Sequence, residues 1–465
     1  MTEPAKPSGV TNVDVSGGMK STTVQCDDLL ALSRLTDEVG EDTLKIAAAG
    51  HKFLVEPNVL ASSLLNPGGV VKFEAAMAVA LDGPHGLTAT SAGIRLRGEA
   101  LKASKIAYEM ADELAAKSLE VSRWFAGKAV TATPTVAAAT ALLTGGAIAA
   151  DVHANYDGDW MKWLMDHPGM VDNLIGMTPG MISSLGIPVD LATTLDLLAA
   201  TYPDGNAVVT PSRSHPHADV PKDLHDLMEG LAMRNKPDVL EPRGKDEPVD
   251  PANIDVRIIK NAQNEVTGYV VDIPGTKHWN PPGVVESAND TGVNVDAMAG
   301  NRTVLQKGIE EALRMAGATD GKPVMLLGHS QGGIVAAQST PDLVASGYNV
   351  THVVTAGSPV GRIDVPANVQ MLSLENRNDI VPRLDAADNP DTANRTTVKF
   401  DQNYGDFKNH NIEENYSEAA RQLSDPGSKT YHDPAVAKYR DSLGAFTNGS
   451  QAETRTYRVT REGVN

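Results

Sequence analysis

Ser330 stands in Gly328-His329-Ser330-Gln331-Gly332, a Gly-x-Ser-x-Gly pattern. The apolar run Val324-Met325-Leu326-Leu327 leads into it and a helix-compatible stretch, Gly333 to Thr340, follows at once. Strand, sharp turn and helix are the context in which this pattern lifts a serine hydroxyl clear of a sheet. The two flanking glycines let strand and helix approach closely while the serine holds a strained backbone. A plainer alternative is a βα turn whose serine only caps the helix.

A serine hydroxyl attacks a carbonyl only when an imidazole takes its proton, and that imidazole needs a carboxylate to fix its tautomer. One known arrangement has the order Ser, acid, His, each at the carboxyl end of a strand. The acid expected here is Asp379, where the strand from Val369 enters a polar loop ending at Pro382; Glu375 and Asp385 are its rivals. Two histidines follow in order. His410, in Phe407–Tyr416, lies in a loop just before an amphipathic helix, and His432 precedes a later helix. The first position favours His410, with His432 as the alternative base. His329 is expected to point away from the site by strand alternation. An oxyanion needs two N–H donors. Gln331 at the helix start and Thr276, after the strand end Val271-Asp272-Ile273-Pro274-Gly275, are the candidates.

These residues need a scaffold. Ile254–Ile259 and Gly268–Ile273 predict a hairpin. A helix over Arg302–Met315, the strand into Ser330 and its helix come next, then strands near His352–Ala356, Val369–Leu374 and Thr396–Phe400, and helices over Glu413–Leu423 and Pro434–Leu443. Strands alternating with helices predict a doubly wound, mostly parallel sheet with helices on both faces. Before it, residues 22–201 show helical periodicity and predict an all-α domain. Its Trp160, Met161, Trp163, Met165, Met170, Met177 and Met181 would fill a core or form a peripheral lipid-contacting surface. Residues 1–21 and 446–465 predict a disordered start and a polar tail. Residues 202–252, with Pro203, Pro211, Pro216 and Pro221, predict a linker with one helix, and 253–445 the α/β domain.

With 465 residues, more than one core is expected. The formal charge of −19 disfavours nucleic acid as a partner. The single Cys26 forms no internal disulfide, no Cys/His spacing suggests zinc, and His215 with His217 lacks the carboxylate a metal site would use. No metal or organic cofactor is expected. The first residues carry no basic and apolar signal, so Sec export is not expected. Ala129–Ala150 has no charge but few large apolar side chains, so a spanning helix is not expected.

Together, Ile273-Pro-Gly-Thr276, Gly328-His-Ser-Gln-Gly-Gly333, Ala356-Gly-Ser-Pro-Val-Gly361, Asn378-Asp-Ile-Val-Pro382 and the late His410 resemble the α/β-hydrolase superfamily. Within it they look most like lipase class 3-like and cutinase-like hydrolases. Class 3 lipases usually carry Leu where Gln331 stands, and cutinases carry disulfides that one cysteine forbids. The resemblance implies an ester or lipid substrate and the roles of nucleophile, acid and base for Ser330, Asp379 and His410. An acyltransferase would use the same acyl-enzyme, and a non-catalytic interaction protein would use the same scaffold. Tyr108-Glu-Met-Ala-Asp112 is similar to the Tyr-x-x-x-Asp/Glu signal of type VII export, which leaves cytoplasmic and exported locations as the two expectations.

Overall fold

The sheet that carries the site has nine strands in the order β1-β8-β7-β6-β5-β4-β3-β9-β2. They are β1 (Thr11–Gly17), β2 (Asn206–Ala218), β3 (Ala252–Lys260), β4 (Val266–Ile273), β5 (Val324–His329), β6 (Val350–Ala356), β7 (Gln370–Asn376), β8 (Arg395–Asp401) and β9 (Gln451–Glu462). This computed structural model describes residues 9–18, 22–62, 65–105, 146–156, 163, 167, 190–202, 205–235, 252–280, 284, 287–404 and 407–463. β4 to β8 run parallel, and β1, β2, β3 and β9 join antiparallel at the two sides.

Alternation along the central strands builds two cores. Val324, Leu326, Val353 and Met371 pack on one face with α3 (Val304–Ala316) and α4 (Gln331–Ala345). Met325, Leu327, Val354, Leu372 and Leu374 pack on the other with α1 (Leu224–Asn235), α5 (Ser417–Ser424) and α6 (Pro434–Asp441). A strand with helices on both faces must be apolar on both, which is why β5 is buried at every position. α3 starts on a capping box of Thr303 and Gln306 and stops at Gly317, whose φ of 93° suits glycine. The fold is that of an α/β hydrolase.

Three segments differ from expectation. Residues 11–17 are not disordered; they form β1, with Val15 opposite Val398. The expected linker contains β2, an edge strand whose pairing with β9 shifts register between Pro211 and Arg213 and between His215 and Ala218. Proline is tolerated at such an edge because its missing N–H breaks no inner ladder. The expected polar tail contains β9, which lies between β3 and β2 and buries Ala452, Thr454, Thr456, Tyr457, Val459 and Arg461. Thr456 Oγ1 donates to the buried Asp255 carboxylate at 2.6 Å, so a strand of polar residues becomes a core strand by satisfying its neighbours.

The expected all-α domain is divided. Thr22–Leu119 is a compact unit, while Met1–Ser21 with Glu120–Asn465 forms the other. Leu191–Ala199 therefore belongs to the α/β unit and packs on α2 (Thr291–Met298). In the helical unit, Thr22–Leu54 meets a helix over 87–105 through small side chains. Ser33 Oγ donates to the Gly98 carbonyl (2.8 Å) and Ser91 Oγ to the Gly40 carbonyl (2.7 Å). Tyr108–Asp112, residues 129–145 and the Met/Trp run apart from Trp163 lie outside the described residues. Among those described, no helix is long and apolar enough to cross a membrane.

His352 on β6 is buried against Tyr439 and Phe446, with Nε2 2.8 Å from Ser442 Oγ. Burial pushes its pKa from 6.5 down to about 4. The unfolded chain thus binds this proton first, so stability present above pH 6.5 is lost as pH falls toward 4, by about 3 kcal/mol when fully developed. In His352→Gln the urea midpoint should fall less steeply between those pH values than in wild type. Parallel curves would contradict the assignment.

Candidate active site

Ser330 sits at φ 56°, ψ −125°, a left-handed backbone that a non-glycine residue adopts only under constraint. The constraint is the crossing of β5 and α4. A Cβ on Gly328 would lie 2.1 Å from the Gly332 carbonyl oxygen, and one on Gly332 would lie 2.0 Å from that of Ile273. Neighbours hold the strained peptide: Ser330 N–H donates to Ala356 O (2.9 Å) and Ser358 Oγ to Ser330 O (2.7 Å). The Ser330 side chain makes no cap hydrogen bond to the helix it precedes, which removes the capping alternative.

Asp379 follows β7 and is 2% exposed. Its Oδ1 accepts the Val381 N–H (2.9 Å), and its Oδ2 accepts both His410 Nδ1–H and Tyr416 O–H at 2.6 Å each. Because a carboxylate only accepts, His410 carries its proton on Nδ1 and leaves Nε2 as the lone-pair nitrogen in the neutral ring. That Nε2 is buried and has no hydrogen-bond partner among the described residues. His410 and Ser330 line one cleft of about 340 Å³ with Thr276, Trp279, Phe407 and Ile412. The geometry holds a base nitrogen, oriented by a buried carboxylate, in the cleft that Ser330 also lines.

The other candidates sit elsewhere. Glu375 accepts from Asn389 (2.6 Å) and faces Lys399, and burial pushes its carboxyl up to about 7. Asp385 accepts the N–H groups of Gly361 (2.7 Å) and Ala387 (3.2 Å), with burial pushing it up to about 6. His432 pairs its Nε2 with the Pro426 carbonyl (2.9 Å) in a turn that does not line the cleft. Gln331 opens α4, and its side-chain Nε2 donates to the Asp290 carbonyl (2.7 Å). Thr276 follows Gly275, where an added Cβ would lie 3.2 Å from Ser330 Cβ, so that loop passes directly beside the serine. The side chains of His215 and His217 lie outside the described residues.

His329 does not point away. It shares parity with Met325 and Leu327, and the loop bearing His410 lands on that face. Its Nε2 lies 2.9 Å from the His410 carbonyl oxygen, and the two rings pack at a tilt of 32° with centroids 4.6 Å apart. Burial, with His410 alongside, pushes the His329 pKa well below 6.5, so it is a neutral ring donating Nε2–H. Three further buried residues went unrecognised in the sequence. Asn376, at the end of β7, donates to the carbonyls of Gln402 (2.7 Å) and Asn409 (3.1 Å) and to Asn415 Oδ1 (3.3 Å). Asn409 Nδ2 donates to the Asn378 carbonyl (3.0 Å). These amides tie the acid loop to the base loop. Tyr416 closes a one-turn π-helix, Ile412–Tyr416, a form that recurs at functional sites. The only sequence signal was an inward spacing of Ile412, Tyr416, Ala420 and Leu423, which reads equally well as core.

Residues 288–437 match the family model of the PGAP1-like alpha/beta domain. The matched segment holds Ser330, Asp379 and His410 and omits Thr276 and β9. No curated protein and no solved structure matches the chain. The match is to a hydrolase-type scaffold; the likeness to lipase class 3 and cutinase-like enzymes rests on the motifs alone.

Burial and the Asp379 charge hold the Tyr416 hydroxyl well above its ordinary 10, so it stays a donor. In Tyr416→Phe, Asp379 Oδ2 keeps His410 alone, and their hydrogen bond should strengthen. The His410 Nδ1 proton resonance should then move to lower field relative to wild type. An unmoved resonance would mean the tyrosine does not share that oxygen.

Proposed function

We propose that this chain is a serine hydrolase of carboxylic esters, with Ser330 as nucleophile, His410 as base and Asp379 as acid. The observation that carries the reading is the 2.6 Å His410–Asp379 bond opening on the cleft that holds the strained Ser330. His410 Nε2 takes the Ser330 Oγ proton as Oγ attacks the ester carbonyl. The N–H groups of Gln331 and Thr276 receive the developing oxyanion. The intermediate collapses as His410 returns the proton to the departing alcohol oxygen, leaving an acyl group on Ser330. Water then repeats the sequence and frees the acid. Throughout, Asp379 stabilises the imidazolium without taking its proton.

The cleft mouth argues for an apolar acyl group. Among described residues of the α/β unit, the large apolar side chains left exposed are Leu197, Leu198, Met233, Trp279, Val284 and Phe407. Of these, Trp279 and Phe407 line the cleft. Apolar side chains gathered around a concave site suit a hydrocarbon-bearing ligand.

A fluorophosphonate probe should label wild type and not Ser330→Ala; a folded wild type left unlabelled would sink the proposal. Asp379→Ala and His410→Ala should each lower kcat by about 10³-fold or more. His432→Ala should stay within about 2-fold of wild type, as expected for a surface substitution away from the site. On p-nitrophenyl esters, Trp279→Ala should lose more kcat/KM on long acyl chains than on acetate. An equal loss on both would remove Trp279 from acyl recognition.

A further inference from the structure

The two amides assigned above to the oxyanion come from separate segments: Gln331 opens α4, and Thr276 lies on the loop after β4. One short stretch, Asn289-Asp290-Thr291, holds both. On the Gln331 side, the Asp290 carbonyl accepts the glutamine Nε2 at 2.7 Å. On the Thr276 side, Lys277 N–H donates to the Asn289 carbonyl (2.9 Å) and Thr291 N–H to the His278 carbonyl (3.1 Å). Asn289 Nδ2 donates to the Gly275 carbonyl (3.1 Å), and His278 pairs with Asp290 in a parallel bridge. Asn294, on α2, donates to Thr276 Oγ1 at 2.9 Å.

That stretch is anchored from the far end of the chain. The Asp290 carboxylate caps α2 and faces both terminal nitrogens of Arg461 at 3.3 Å each. Neither side chain is exposed beyond 2%. Arg461 belongs to β9 and donates through a planar fork, which fixes orientation as well as charge. A lysine ammonium in its place is a point charge that leaves the carboxylate free to turn.

We infer that the Arg461–Asp290 pair is a positioning device for the oxyanion hole, so that the last strand sets where both donors sit. The inference rests on the reading in which the Gln331 and Thr276 amides receive the oxyanion. Arg461 acts through Asp290 and touches no reacting atom. Donors aimed at a developing charge lose most of their effect when misplaced by about 1 Å, a change that costs about 10²-fold in rate. The device also joins parts of the chain on either side of the matched segment, which contains Asp290 but neither Thr276 nor Arg461.

The experiment compares Arg461→Lys with the double variant Asp290→Asn/Arg461→Gln in the full chain. The double variant replaces the ion pair by two neutral amides, so it strands no buried charge if the single change fails to fold. Turnover is expressed per site titrated with a fluorophosphonate, which removes unfolded protein from the comparison. In both variants kcat should fall at least about 10-fold while KM stays within about 2-fold, the pattern of a contact made only in the transition state. The affinity for a boronic acid, whose serine adduct carries the tetrahedral oxygen, should fall with kcat. If kcat per titrated site stays within about 2-fold of wild type in the folded variants, the positioning role is overturned and the hydrolase reading survives. A wild type that takes no probe overturns both.

Discussion

Burial of the Asp379 carboxylate is the constraint on which the rest of the site depends. An unpaired charge in a protein interior costs several kcal/mol, so at 2% exposure this group must find its donors within the fold. It finds three, from three directions: Val381 N–H on its own loop, His410 Nδ1 and the Tyr416 hydroxyl. The last two are six residues apart and reach the same oxygen because the turn between them is a π-helix. The amides of Asn376, Asn409 and Asn415, all buried, then hold the two loops in register. Removing any one donor leaves the others to reorganise around a charge that has no water to turn to.

The serine is fixed by the opposite means, steric closeness in place of hydrogen-bond demand. Gly328 lets β5 pass against the start of α4, Gly332 lets α4 start against the end of β4, and the left-handed Ser330 between them is the geometric outcome. Gly275 brings a third piece of backbone beside it. Acid and base are therefore set by polar satisfaction on one face of the sheet, and nucleophile and donor loop by packing at the strand ends. His329 links the two, since it follows Gly328 on β5 and donates to the His410 carbonyl. Buried ion pairs tie the outer strands into the frame: Arg257 with Asp272, Arg461 with Asp290.

How much of this was legible depends on where each signal resides. Ser330, Asp379 and His410 could be nominated because each ends an apolar run or opens a helix, a local pattern that a sequence displays. The parallel strands were legible for the same reason. β1, β2 and β9 were not, because polar or proline residues interrupt them and they pair with strands distant in the chain, as β9 does with β3, where Thr456 meets Asp255. Strand alternation put His329 on the face opposite the expected site, but could not say that the His410 loop would cover that face and make it part of the site. Tyr416 needed a turn type that leaves no mark on residue spacing. Arg461 falls within the expected polar tail because the buried carboxylate it pairs with, Asp290, lies 171 residues upstream.

The central claim is that an acyl group passes through Ser330. The most direct measurement is acid quench of the protein during turnover of an activated ester, followed by peptide mass mapping. The account predicts the acyl mass increment on the peptide carrying Ser330, and its absence there in Ser330→Ala. Turnover without an adduct on that serine, or with the adduct on another residue, would contradict it.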